Sequence, residues 1–295
     1  MLGEISSGLS IVEFLTKWSK KFWPLKKQPP ENIATRFFLL FESHGVHQNQ
    51  IPSLIGHGLT IADVQTEEAL FPRLNDAILN DVCELFAVRR EWLDGADDQI
   101  YPLHDFYKWP EQFSEFLDGL LVDKAAYEVS GVVLATRHAN RTGSALIILE
   151  EPVGLIGDKS VCRYHLCHNW VFSYWKSRTY LSACVAIAWK KKVCLMGRYV
   201  DQSVIDQYQD GRTLLEYSIN TALPLNGAPW CPEEMALKPE IFLDGIDEDG
   251  FGKAAALNLW LAEEKKGLMD TGLGYLKVRD AFENKLGEMQ SSHLN

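Results

Sequence analysis

The pattern of apolar residues changes character at Lys124, and this limits the chain to two kinds of unit in series. Before it, apolar residues recur at helical spacing. In "LNDAILNDVCELFAV", Ile78, Val82, Leu85 and Phe86 share one face, with Asn75 placed to cap. After it come "YEVSGVVLATR", "GSALIILEE", "KSVCRYHLCHNWVFSYW", "TYLSACVAIAW" and "KVCLMGRYV", β-rich or strongly apolar runs with turn residues between them. "ANRTG" reads as a hairpin turn. "TYLSACVAIAW" fits a strand or a buried helix equally, because periodicity does not separate the two. Helical spacing returns in "GRTLLEYSINTAL", "FGKAAALNLWLAEEKK" and "YLKVRDAFENKLGEM". The expected class is α+β: an all-helical N-terminal bundle, then a mixed, mostly antiparallel sheet with the C-terminal helices on one face.

Four segments follow from this pattern: an extension over 1–34, a helical module over 35–100, a connector with a helix after Pro110 over 101–122, and an α+β domain over 123–295. The extension starts as an amphipathic helix, with Ile11, Phe14, Leu15 and Trp18 on one face, and ends at Pro24. Lys20, Lys21, Lys26 and Lys27 make it basic, which suits either an arm that touches phosphate or a membrane surface, or a docked helix with a solvated lysine face. The whole chain leans the other way: 29 Lys and Arg against 40 Asp and Glu give a net charge of −11, so its long-range field opposes phosphate-rich partners. No apolar run reaches membrane-spanning length. Glu4 and Glu13 interrupt any secretory pattern, and six cysteines in 295 residues suit reduced thiols, so a cytoplasmic protein is expected.

Within the module, "TRFFLLFESHG" predicts a helix stopped by Gly45, and "NQIPSLIG" a second ended by Gly56. Thr60 and Asp63 predict a capping box that opens a third over "TIADVQTEE". The closing "RREWLDGAD" carries a buried Trp92 and a terminating Gly95. The order of these pieces across 36–95 resembles the Cro/C1-type (lambda-repressor-like) helix-turn-helix family. "NQIPSLIG" stands for the helix that ends in glycine, "LTIADV" for the turn and the start of the recognition helix, and "LNDAILNDVCELFAVRREWLDGAD" for the closing helix. Pro52 stands where a small residue is usual, and "HGLT" is one residue longer than the common turn. The resemblance covers about a fifth of the chain. It implies contacts to double-stranded DNA from Gln48, Asn49, Gln50, Thr60, Gln65 and Thr66, with phosphate contacts from the lysine arm, and a homodimer on paired half-sites. Asp63, Glu67 and Glu68 on the same surface would be repelled by phosphate.

The second half carries candidates for ligand chemistry. Arg137, His138 and Arg141 cluster at one turn and suit an anion or a solvated loop end. Cys162, His165, Cys167 and His168 are metal-ligand types, but strand alternation sends Cys162 and His168 to one side and His165 and Cys167 to the other. No metal or other cofactor is therefore expected, and buried free cysteines are the ordinary alternative. "DGIDEDGFGK" fits neither a calcium loop nor a phosphate loop, and no nucleophile-elbow, zinc-protease or dinucleotide motif is present, so no enzyme is expected. The expected function is a regulator with a helix-turn-helix module and a C-terminal domain that senses a ligand or mediates assembly. The alternative is a protein-interaction adaptor whose helical module no longer binds DNA.

Overall fold

The structure, a computed structural model, describes residues 32–137, 143–216, 227–246 and 252–292. Helix α1 (Ile33–Ser43) begins where the Asn32 side chain accepts the Thr35 N–H at 2.9 Å, and buries Phe37, Leu40 and Phe41 completely. Gly45, at φ +71, lets the chain turn out. A 3₁₀ turn at Gln48–Gln50 leads into α2 (Ile51–Ile55), which ends at Gly56. The continuous third helix expected from Thr60 is not formed. The Thr60 N–H donates to the Asp63 carboxylate at 2.8 Å around a 3₁₀ turn at Ala62–Val64. The chain then restarts at Thr66, whose hydroxyl caps the single turn α3 (Glu67–Leu70). The Thr60–Asp63 pair closes one turn and the Thr66 cap starts another six residues on, and neither turn is long enough to join the other. Helix α4 (Asp76–Phe86) is capped by Asn75, and α5 (Arg90–Leu93) buries Trp92.

The connector contributes a short strand, β1 (Leu103–Asp105), before helix α6 (Pro110–Leu120), with Pro110 in its first turn where its missing N–H costs nothing. Strands β2 (Ser130–Ala135), β3 (Ser144–Ile156) and β4 (Lys159–Val171) form an antiparallel meander. The ambiguous apolar run is a helix, α7 (Trp175–Lys190), which crosses back to β5 (Cys194–Tyr199), parallel to β2. Helix α8 (Gln202–Tyr208) follows, and the described part of "GRTLLEYSINTAL", 211–216, is irregular rather than helical. The rest of that segment, and 139–142 of the expected "ANRTG" turn, lie outside the described residues. Strand β6 (Ala228–Trp230), helices α9 (Glu234–Leu237) and α10 (Pro239–Leu243), and the long helices α11 (Gly252–Lys265) and α12 (Val278–Ser292) complete the chain. The sheet order is β1-β4-β3-β2-β5-β6, mixed, with three of its five pairings antiparallel. Among the described residues no helix is long and apolar enough to cross a membrane.

Strand alternation divides the core in two. Val133, Ala135, Ile147 and Leu149 lie in the cluster with α6, α7, α11 and α12; Val132, Leu134, Leu146 and Ile148 lie in the cluster with the N-terminal helices and α8. The second cluster runs without a break from Phe37, Phe41 and Phe86 to Tyr164 and Leu166 of β4. The helical bundle therefore shares its core with the sheet. Backbones come close at Gly131, where an added Cβ would lie 2.5 Å from the Ile148 carbonyl oxygen. Because Ile148 is fully buried in the cluster that the sheet shares with the bundle, Ile148→Ala should cost about 2 to 5 kcal/mol. Far-ultraviolet circular dichroism and tryptophan fluorescence should then report one coincident transition at a lower midpoint. Two separated transitions would show that bundle and sheet unfold independently.

Candidate functional site

The six expected base-reading residues lie together on the bundle surface, but most are engaged in local structure. Gln50 accepts the His47 N–H at 2.9 Å and closes a capping box. Thr60 is bonded to Asp63, and Thr66 caps α3. The Gln65 amide donates to the Asn49 side chain at 2.8 Å and to the Ile61 carbonyl at 2.9 Å. Gln48 is exposed at the start of its turn. The bundle's cations are likewise engaged internally. Arg36 is buried, donates to the Trp92 carbonyl and lies over the Trp92 ring. Arg73 holds Asp63 and the Gly58 carbonyl, while Arg89 holds Asp97 at 2.6 Å. Arg90 bonds both Asp76 and Asp94 at 2.8 Å. Lys20, Lys21, Lys26 and Lys27 lie outside the described residues, as do His138 and Arg141; Arg137 is exposed just beyond β2.

The four residues of the zinc-type set are divided as strand alternation requires. Cys167 is wholly buried under α7, and Cys162 faces Ser160 and Glu150, where burial pushes its thiol up to about 12. Among the described residues no three His, Cys, Asp or Glu side chains are grouped to hold a metal. His165 instead meets a carboxylate that sequence reading passed over. Its Nε2 lies 2.8 Å from Glu151, and Arg163 donates to both Glu151 oxygens at 2.7 and 2.9 Å. Burial alone would raise the Glu151 pKa. The hydrogen bonds from His165 and Arg163, and the Arg163 charge, outweigh it and hold the carboxyl down to about 2. His104 of β1 and Phe116 of α6 pack against the His165 ring. A carboxylate beside an imidazole is general-base geometry. Here both carboxylate oxygens are taken by the guanidinium, and Glu151 and His165 are only 4% and 7% exposed, so the cluster serves as a closed structural knot.

The register that builds this knot was hidden by a bulge. The Gly157–Asp158 turn pairs Ile156 with Lys159, and simple counting from there sets Glu151 opposite Tyr164. An extra residue between Pro152 and Gly154 moves Glu151 back by one, opposite Arg163. Elsewhere, a cavity of about 270 Å³ lies between α11 and α12, lined by Trp260, Met269 and Tyr275 and bordered by the Arg279–Glu264 ion pair. With this geometry in hand, comparison with known proteins adds no relative: no family model, no curated protein and no solved structure matches the chain. The Cro/C1 resemblance stands on the quoted residues alone.

One titratable group sits where bundle meets sheet. His44, 1% exposed, sits between the tilted rings of Phe86 and Tyr164 and donates from Nδ1 to the Leu40 carbonyl at 2.8 Å, leaving Nε2 without a partner among the described residues. Burial lowers its pKa to about 4, although the Leu40 bond pulls upward. A depressed imidazole pKa means that the unfolded chain takes up the proton first. This contribution is complete above about pH 6.5 and is lost as pH falls to about 4, on the order of 3 kcal/mol. His104 shifts the same way, mainly through burial. Denaturant unfolding between pH 7 and 4 should show this loss, and His44→Phe, which keeps a ring between Phe86 and Tyr164, should reduce it. An unchanged pH profile in that variant would remove His44 as the cause.

Proposed function

We propose that the chain is a regulatory adaptor that engages a protein partner through its helical bundle, rather than a reader of duplex DNA through that bundle. The observation that carries this reading is the engagement of all four arginines between 32 and 100 in internal contacts. That stretch has eleven Asp and Glu and no lysine. Affinity for DNA comes first from cations that neutralise phosphate, and this surface offers none to spare. The turn-and-cap structure of 60–70 supports the same reading, since a recognition element needs a helix long enough to reach along a groove.

The same stretch presents apolar surface. Ile61 and Phe71 are 57% and 59% exposed on a segment that Arg73 ties together, with Glu68 exposed between them in sequence. Apolar side chains rimmed by acids suit a partner surface that is basic and apolar. Fluorescence anisotropy of the full chain with duplex DNA, at about 50 mM and about 200 mM salt, tests the reading. We expect no duplex binding that depends on Asn49 or Gln65. Any binding contributed by Lys20, Lys21, Lys26 and Lys27 should be unchanged in Asn49→Ala and Gln65→Ala. Salt-dependent, sequence-selective binding that either substitution abolishes would restore the DNA-reading function and sink this one.

A further inference from the structure

A buried cation at the far end of the sheet has no carboxylate bonded to it among the described residues. Arg178 lies in the first turns of the 16-residue helix α7 and is 1% exposed. Its Nε donates to the Phe172 carbonyl at 2.9 Å, and its Nη1 donates to the carbonyls of Phe242 at 3.1 Å and Asp244 at 3.0 Å. Among the described residues its Nη2 has no partner, and the neighbouring Ser177 hydroxyl, also buried, has none either. The guanidinium carbon lies over the Phe172 ring, 3.5 Å from its centroid. Carbonyl dipoles and a ring face offset part of the cost of burying this charge, yet an unmet donor on a buried cation is one of the more expensive defects a fold can carry.

The surroundings share one preference. No side chain caps α7 at Tyr174, so the positive end of the helix dipole is open to an acceptor. Phe172 meets Trp230 edge-on at 5.8 Å, and Trp230 stacks on Tyr199 at 5.0 Å. The Trp230 Nε1 is a further buried donor without an acceptor, held over Gly197, where a Cβ would strike it at 2.5 Å. Arg178 and Arg137 both act on the Tyr199 phenol, so two guanidinium charges converge on the end of β5; the exposed Asp244 is the acid that acts on the same groups. The C-terminal ends of β2, β4 and β5 point this way, the side of a crossover sheet where ligands bind.

We propose that this end of the sheet binds a phosphate group, free or carried on a small molecule, with Arg178 Nη2 and the first turn of α7 as its donors. The exposed Arg137 adds charge nearby, and Phe172, Tyr199 and Trp230 form an aromatic row beside it. The planar fork of an arginine and the open N-terminus of a helix are the two devices by which proteins most often hold phosphate, and here they coincide. This inference is independent of the adaptor reading, which rests on the opposite face of the sheet.

The test is a thermal melt and a calorimetric titration of the full chain with inorganic phosphate, against chloride at matched ionic strength. Wild type should gain roughly 5 °C or more at a hundredfold excess over Kd. Trp230 fluorescence should change with the same midpoint. Arg178→Lys keeps the charge but not the fork and should weaken phosphate at least tenfold. Arg137→Gln, at an exposed position, should weaken it less. Glycerol phosphate binding more tightly than inorganic phosphate would assign the site to a phosphorylated small molecule, and the reverse to the free anion. Two results overturn the proposal: no phosphate-specific shift in wild type, or equal phosphate affinity in Arg178→Lys.

Discussion

Both faces of the central strands are apolar, and neither can be left in water. Val133, Ala135, Ile147 and Leu149 point one way, and Val132, Leu134, Leu146 and Ile148 the other, all of them buried. A meander with one wet face would need cover on one side only; this one needs a layer on each. The helices α6, α7, α11 and α12 supply one layer, and the N-terminal bundle together with α8 supplies the second. Much else follows from that demand, including the 13-residue lengths of β3 and β4 and the aromatic junction of His44, Phe86 and Tyr164.

Making the bundle a layer of the sheet constrains what it can do. Its apolar stripes are spent on Tyr164, Leu166 and Ile148 as well as on each other, so its outer surface is left with caps, turns and acids. Those caps compete for the polar residues that a groove-reading surface would need free: Thr60 and Thr66 are held by backbone and carboxylate partners, and Gln65 by Asn49. Hydrogen-bonding residue types in a recognition-helix position are therefore weak signs of recognition, because the same types are the best helix starters.

Buried charge is handled in two ways on the other face. At Glu151 the ion is fully met, by two bonds from Arg163 and one from His165, and the result is a closed, low-pKa carboxylate. At Arg178 the ion is met, among the described residues, by carbonyls and a ring, with one nitrogen left over. The first arrangement is self-sufficient. The second is electrostatically incomplete, and that difference separates a structural knot from a place for a ligand.

Local chemistry was legible from residue order. Asn75 as a cap, Gly45 and Gly56 as stops, Pro110 at a helix start and the strands after Lys124 all follow from interactions within a few residues. Strand alternation likewise separated Cys167 from Cys162, because the period of two is a property of the backbone itself. What only the tertiary structure decided involves partners distant in sequence. Whether "TYLSACVAIAW" became α7 depended on a crossover that had to cover the sheet. Whether Glu151 met Arg163 or Tyr164 depended on one bulged residue. Two of the acceptors that Arg178 does find are carbonyls more than sixty residues away, at Phe242 and Asp244. Short-range hydrogen bonding is written in neighbouring residues; burial and charge balance are set by whatever the rest of the fold brings alongside.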